Sequence, residues 1–273
     1  MSRSVPESLR SAVGSTRLGQ VAYPHLVKGR LGVERWSLGL RSRPAAGAAR
    51  ARIVAYHSVG TPEWGVNDVT PAAFERHLQL AVDDGWTFAT PSEVLARPDE
   101  QLLSITFDDG VRSVLQNAVP VLRAHGVPAT MFVVTGWADG GHEGGYDHVL
   151  DWYGLDALQR AGMELGSHSV THPDFSTLDD GQVRRELAES RARLTRMLGV
   201  DTAEFAIPYG QSANWDARAQ AAALDAGYAA VYAQAVDTRT PGTIARTFVT
   251  AFDRPTVFRA ALHGAFDGWE EWS

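Results

Sequence analysis

Hydrophobic positions along this chain switch repeatedly between short apolar runs of strand length and longer stretches with helical spacing. Strand-like runs fall at residues 53–56, 87–89, 102–107, 129–134, 164–166, 204–207 and 229–232. Helical patterns lie between them. One covers residues 71–82, with Thr70 as N-cap and Pro71 at the first helical position, the favoured order for a helix start. A second, 111–124, is interrupted by Pro120, which should kink or restart it. A third, 179–198, carries Val183, Leu187, Leu194 and Leu198 as its apolar positions and stops at Gly199. A fourth, 215–226, is rich in alanine and ends at Gly227. Strand–helix alternation of this kind predicts a parallel α/β sheet. About seven strands in ~220 residues suit a deformed (β/α) barrel. No glycine-rich phosphate fingerprint follows the first strand, which argues against a dinucleotide-binding fold.

The run Arg43-Pro44-Ala45-Ala46-Gly47-Ala48-Ala49 reads as a linker, so the expected organisation is an extension over residues 1–51 and a compact domain over 52–273. Charge divides along the same line. Met1 to Arg52 carries ten Lys and Arg against two Asp and Glu, a net +8, and the rest of the chain is −15. Such a basic arm suits either a solvated extension or peripheral contact with an anionic membrane surface. The body has no basic patch interleaved with aromatics, so nucleic acid is not an expected partner. No apolar run approaches the ~18 residues that span a bilayer, and the N-terminus lacks the apolar core of a secretory signal. The expected location is therefore cytoplasmic. The chain contains no cysteine, which leaves only His, Asp and Glu as strong metal ligands.

Two strand ends carry the candidate chemistry. Ser104-Ile105-Thr106-Phe107 runs into Asp108-Asp109-Gly110, and Glu164-Leu165-Gly166 runs into His168-Ser169-Val170-Thr171-His172-Pro173. In barrels, catalytic groups sit where strands end and loops begin. Adjacent strand residues point to opposite faces, so Asp108 and Asp109 converge only if the strand ends there, and Gly110 permits that turn. Alone, Asp-Asp-Gly is a common turn sequence. Pro173 disfavours helical geometry at His172, so a loop is expected around it. Two imidazoles and one carboxylate leave coordination positions open, the mark of a catalytic metal site. Zinc suits this set, and ferrous iron uses the same one in oxygenases. The spare carboxylate favours hydrolysis, because a metal-bound water needs a general base.

These residues resemble the polysaccharide deacetylases, the NodB-homology domain or carbohydrate esterase family 4, over about residues 53–262. Thr106-Phe107-Asp108-Asp109-Gly110 is similar to the family's first motif, and His168-Ser169-Val170-Thr171-His172-Pro173 to its second. Phe205-Ala206-Ile207-Pro208-Tyr209-Gly210 falls where the third belongs. Tyr56-His57-Ser58-Val59 resembles the branch acting in exopolysaccharide biosynthesis. The resemblance implies a barrel of fewer than eight strands that removes acetyl groups from an N-acetylated sugar with a divalent metal, usually zinc. It implies Asp109, His168 and His172 as metal ligands and Asp108 as general base. The backbone N–H of Tyr209 would stabilise the oxyanion.

Two departures stand out. The third motif often carries an arginine where this chain has Ala206, so Asp108 must be held by another group, and the end of the chain resembles a branch with an arginine near Arg246. The Leu-x-His motif that carries the general acid is not visible at its expected place. His57, ending the first strand, is the better candidate acid, and His263 is expected at the surface. The glycine-rich loop 136–147 and Trp215 are further candidates for sugar contact, with a plain loop and a core tryptophan as the alternatives. The leading expectation is a metal-dependent deacetylase acting on N-acetyl, or else O-acetyl, groups of a saccharide. The alternatives are a catalytically impaired carbohydrate-binding module on the same fold and a two-His-one-carboxylate iron oxygenase.

Overall fold

The computed structural model describes residues 32–33, 35–37, 51–140, 148–234 and 238–268. Its strands are β1 (Arg52–Tyr56), β2 (Ser58–Val59), β3 (Asp68–Val69), β4 (Thr87–Phe88), β5 (Leu102–Phe107), β6 (Ala129–Val133), β7 (Glu164–Ser167), β8 (Glu204–Ala206), β9 (Ala230–Gln234) and β10 (Ile244–Phe248). The helices are α1 (Pro71–Asp83), α2 (Pro91–Ala96), α3 (Val119–His125), α4 (Trp152–Arg160), α5 (Asp180–Leu198), α6 (Ala217–Asp225) and α7 (Pro255–Leu262). The main sheet runs β1-β10-β9-β8-β7-β6-β5, and β1 pairs with β5 to close it into a seven-stranded parallel barrel. The strand β4 pairs with the first residues of β5 outside this ring.

The expected barrel is therefore present, with one exchange of membership. Residues 87–89, read as a barrel strand, form the two-residue β4, and β10 takes the seventh place in the ring. Period two does not reveal β10 because its inward positions are Ile244, Arg246 and Phe248, a charged residue between two apolar ones.

Helix boundaries follow the local chemistry. Thr70 caps α1 through its side chain, with Pro71 at the first turn. Asp179 and Gln182 form a reciprocal capping box at the start of α5, and Gly199 ends that helix in the left-handed conformation. Pro120 lies in the first turn of α3, after a π-helical segment at Val114–Ala118, so the predicted interruption is a restart.

Alternation along the strands divides the core. Outward side chains such as Val54, Ile105, Phe107 and Met131 pack under the helices. Inward ones such as Ile53, Phe132, Ala206 and Tyr232 fill the barrel. Gly166 on β7 is a glycine because a Cβ there would meet Phe132 ring carbons at 2.5 Å. Upstream of β1, Arg35 is fully buried against the barrel. Its Nε donates to Asp253 Oδ1 at 2.6 Å, and a second nitrogen reaches the Phe248 carbonyl at 2.8 Å. Among the described residues, no helix is long and apolar enough to cross a membrane.

Candidate active site

Every catalytic candidate except His263 falls at the C-terminal end of the barrel strands. Asp108 and Asp109 follow β5, His168 and His172 follow β7, Tyr209 follows β8, and His57 lies directly after β1. Together they line a cavity of about 270 Å³, with Asn67, Gln211, Gln234 and Phe248 completing its wall.

The backbone is strained at this cluster. Among the described residues, the non-glycine positions with positive φ are Asp109 (73°), Ser169 (70°), His172 (59°) and Tyr209 (63°). Each such residue costs of order 1 kcal/mol or more, and such costs concentrate at functional sites. This refines the expected turn at Gly110. Asp109 itself takes the left-handed conformation and Gly110 follows it at φ 78°, so two consecutive residues turn the chain. The side chains of Asp108 and Asp109 are thereby released from opposite faces of a strand. The segment around His172 is a loop, as Pro173 requires.

Asp109 Oδ1 lies 3.5 Å from His168 Nε2 and 3.5 Å from His172 Nε2. This oxygen is buried and has no hydrogen-bond partner. Burial also lowers the His168 pKa to about 3, so its imidazole is neutral and its contact with Asp109 is not an ion pair. The ring is oriented by Nδ1, which donates to the Ala206 carbonyl at 2.7 Å and leaves the Nε2 lone pair facing the cluster. Three ligands on one tetrahedral ion, with bonds near 2.1 Å, stand roughly 3.4 Å from each other. The observed spacing, the orphaned oxygen and the neutral imidazole therefore fit a divalent cation held by Asp109, His168 and His172. Burial, reinforced by the Asp108 charge and partly offset by His57, raises the Asp109 pKa to about 6. A cation at this position would restore its ionised form.

Asp108 is held by Arg246. Arg246 Nη1 donates to Oδ1 at 2.7 Å and Nη2 to Oδ2 at 2.8 Å, a bidentate pair that is almost fully buried. A further bond at 3.2 Å reaches Thr106 Oγ1, and the guanidinium carbon lies 5.0 Å from the Phe132 ring centroid. Burial alone would raise the Asp108 pKa. Arg246 and, more weakly, His168 outweigh it and hold the carboxylate at about 2. The arginine missing at Ala206 on β8 is thus supplied from β10, two strands further along the chain but inside the same barrel. The resemblance of the end of the chain to a branch with an arginine near Arg246 was its sequence signal, and the structure adds that this arginine points into the barrel onto Asp108.

Tyr209 is half exposed, and its ring meets His172 edge-on at 4.7 Å between centroids. Its carbonyl accepts from Gln234 Nε2 at 2.9 Å, which ties the Tyr209–Gly210 turn to β9. The His57 ring lies 5.5 Å from the Phe248 ring, and its buried Nδ1 has no hydrogen-bond partner. His263 is exposed beyond the end of α7, away from the cavity. Trp215 is buried against Phe175 and Phe205, so it is a core residue. Of the glycine-rich loop, residues 141–147 lie outside the described residues. Its Trp137 stands with its ring 5.5 Å from that of His172.

Comparisons with known proteins agree with this arrangement. Residues 96–231 match the family model described as polysaccharide deacetylase. YxkH of Bacillus subtilis (strain 168), which carries the name of a polysaccharide deacetylase, is 28% identical over 169 residues, 60% of this chain and 58% of that protein. A chitooligosaccharide deacetylase of Rhizobium leguminosarum bv. trifolii is 28% identical over 141 residues, 50% of this chain and 58% of that protein. The chain thus spans less than two thirds of the length of these relatives. Among solved structures, the Streptococcus pyogenes deacetylase PplD shares the fold with a TM-score of 0.67 at 22% identity, covering 78% of this chain and 97% of that one. IcaB from Ammonifex degensii does so with a TM-score of 0.66 at 23% identity, covering 79% and 98%. By its motifs, its barrel and these matches, the chain belongs to the polysaccharide deacetylase family, the NodB-homology domain.

Proposed function

We propose that this protein is a metal-dependent hydrolase that removes the acetyl group from an N-acetylated sugar within an oligosaccharide or polysaccharide. The single observation that carries the reading is the division of the two adjacent carboxylates. Asp109 faces two imidazoles with an unpartnered oxygen, while Asp108 is locked by Arg246. A binding module has no use for a buried carboxylate held ionised beside a metal-ligand set.

In this reading Asp109, His168 and His172 hold the divalent cation, with zinc best suited to two imidazoles and a carboxylate. When bound, the cation supplies Lewis acidity toward a water and the acetyl carbonyl. Asp108 takes a proton from the attacking water as its oxygen bonds to the carbonyl carbon. A carboxylate with a pKa of about 2 is a weak base and does not keep that proton, so it must be passed on as the C–N bond breaks. His57, lining the same cavity, is the proton donor to the leaving amine. The Tyr209 backbone N–H donates to the developing oxyanion, in a turn fixed by Gln234. The products are acetate and a free amino sugar. An O-acetyl ester would follow the same course with an alcohol as leaving group.

The test is acetate release from a panel of N- and O-acetylated saccharides. Wild type should lose activity in a strong chelator and regain it with zinc or cobalt. Asp108→Asn should be at least about a hundredfold slower, the usual scale for a removed acid–base group. His57→Ala should lose kcat with little change in KM. Full activity in Asp108→Asn would overturn the mechanism. Glycan binding without acetate release by any metal-loaded form would point instead to a binding module.

A further inference from the structure

Nothing in the proposed chemistry uses Glu186, yet this side chain is buried on α5, directly behind the histidine loop. Its Oε2 accepts from the backbone N–H of Val170 at 2.8 Å and of Thr171 at 3.0 Å. Its Oε1 accepts from Thr171 Oγ1 at 2.9 Å. Those two residues lie between His168 and His172. The loop needs holding, because Ser169 and His172 both sit in the left-handed region that side-chain-bearing residues avoid. Within the loop, His172 N–H donates to Ser169 Oγ at 2.9 Å. One turn further along α5, Ser190 Oγ donates to the Ser169 carbonyl at 2.9 Å. From the other side, Gly136 N–H donates to the Val170 carbonyl at 2.8 Å.

The two histidines are secured unequally. His168 directly follows β7, and its ring is oriented by the Ala206 carbonyl. His172 is four residues further on, beyond the strained Ser169 and itself in the left-handed region, so the path of the loop sets where its ring stands. The N–H groups of Val170, half-buried, and Thr171, exposed, have no strand partner, and without the carboxylate they lose the acceptor that fixes the loop against α5.

We propose that Glu186 is the positioning residue that holds His172 in ligating geometry. It acts by accepting three hydrogen bonds from the loop between the two histidines. The proposal rests on the reading of Asp109, His168 and His172 as a metal set. Groups behind a ligand that fix its orientation typically carry ten- to a hundredfold in metal affinity.

The experiment measures zinc affinity of the full chain by competition with a chromophoric chelator. Amide hydrogen exchange at Val170 and Thr171 is measured in the metal-free protein alongside it. Glu186→Ala should bind zinc about ten- to a hundredfold more weakly and expose both amides to fast exchange. Glu186→Gln keeps an oxygen for the two N–H groups, and its affinity should stay within about threefold of wild type, an effect a general loss of stability would not rescue. Val183→Ala loosens the same helix from the core without removing any of the three hydrogen bonds to the loop, and it should leave the affinity nearly unchanged. If Glu186→Ala fails to fold, Thr171→Val removes the Oε1 contact alone and should weaken zinc binding by a few fold.

Wild-type affinity in Glu186→Ala, or in Thr171→Val where that stands in, would overturn the proposal. Equal losses in Val183→Ala and Glu186→Ala would overturn it too. Failure of wild type to bind any divalent metal would overturn the metal reading instead. Amide protection at Val170 and Thr171 then decides the role of Glu186 by itself: unchanged protection in Glu186→Ala, or in Thr171→Val where that stands in, overturns it.

Discussion

At the scale of single residues, the site works by giving two neighbouring carboxylates opposite surroundings. Asp108 has a guanidinium on both oxygens, whereas Asp109 has a bare oxygen and two imidazoles. Removing the guanidinium should therefore act on the base and not on the metal. In Arg246→Met the main charge that lowers the Asp108 pKa is gone and burial raises it. The acid limb of the kcat/KM profile should move at least a unit toward higher pH, while zinc affinity changes little. The same substitution leaves a buried carboxylate uncompensated and should cost roughly 3–5 kcal/mol of stability at neutral pH, read by urea unfolding. In wild type the sign is the reverse. The depressed Asp108 pKa contributes stability above the ordinary carboxylate range, and that stability is lost as pH falls toward 2. Much of this level was legible in the chain: the identity of the paired acids, the two histidines and the need for a substitute arginine. The left-handed backbone of Asp109, His172 and Tyr209 was not, because no local rule places non-glycine residues there.

At the scale of elements, the ends of the helices that were read are accurate, although α2, α4 and α7 lie outside the four helical patterns, while six of the seven ring strands were read. Caps at Thr70 and Asp179 and the stop at Gly199 are local signals, and the helices start and stop where these residues stand. Barrel strands are defined by partners far away in sequence. Hence the substitution of β10 for residues 87–89 in the ring could not be seen in an isolated segment. Two predictions belong here. Gly166→Ala would drive a methyl into the Phe132 ring, so it should cost roughly 1–3 kcal/mol and, by displacing the end of β7, lower zinc affinity through His168. Differential scanning calorimetry and chelator competition read the two effects. The second concerns Glu204 at the start of β8, whose pKa burial raises to about 7 while a bond from Tyr232 opposes it. A raised carboxyl pKa means the folded state holds its proton longer than the unfolded chain. The associated stability is full below about 4.5 and is lost as pH rises through about 7, a loss of roughly 3 kcal/mol. Glu204→Gln should flatten that part of the stability–pH curve in urea titrations between pH 5 and 8.

At the scale of the whole molecule, the basic N-terminal segment and the barrel are joined at Arg35. Its buried pair with Asp253 reaches the loop after β10, beside the cavity wall at Phe248. Two truncations separate structure from surface charge. A chain starting at Gly32 keeps Arg35 and should unfold like the full protein. A chain starting at Ala51 leaves Asp253 unpaired and should lose roughly 3 kcal/mol or more. We infer that the basic arm contacts anionic membrane. The chain starting at Gly32 should then lose sedimentation with phosphatidylserine vesicles at low salt, and undiminished sedimentation would exclude the arm as the contact. The sequence by itself determined the alternation of strands and helices, the chemistry available at each strand end, and the motifs that mark the family. These are local or additive properties, set by side-chain type and spacing. Only the tertiary structure decided which seven strands close the ring. It also decided that an arginine late in the chain secures an aspartate 138 positions earlier, and that a glutamate on α5 stands behind the histidine loop. Each of those depends on closure of a parallel barrel, which brings distant strand ends to one mouth and leaves no trace in any short window of sequence.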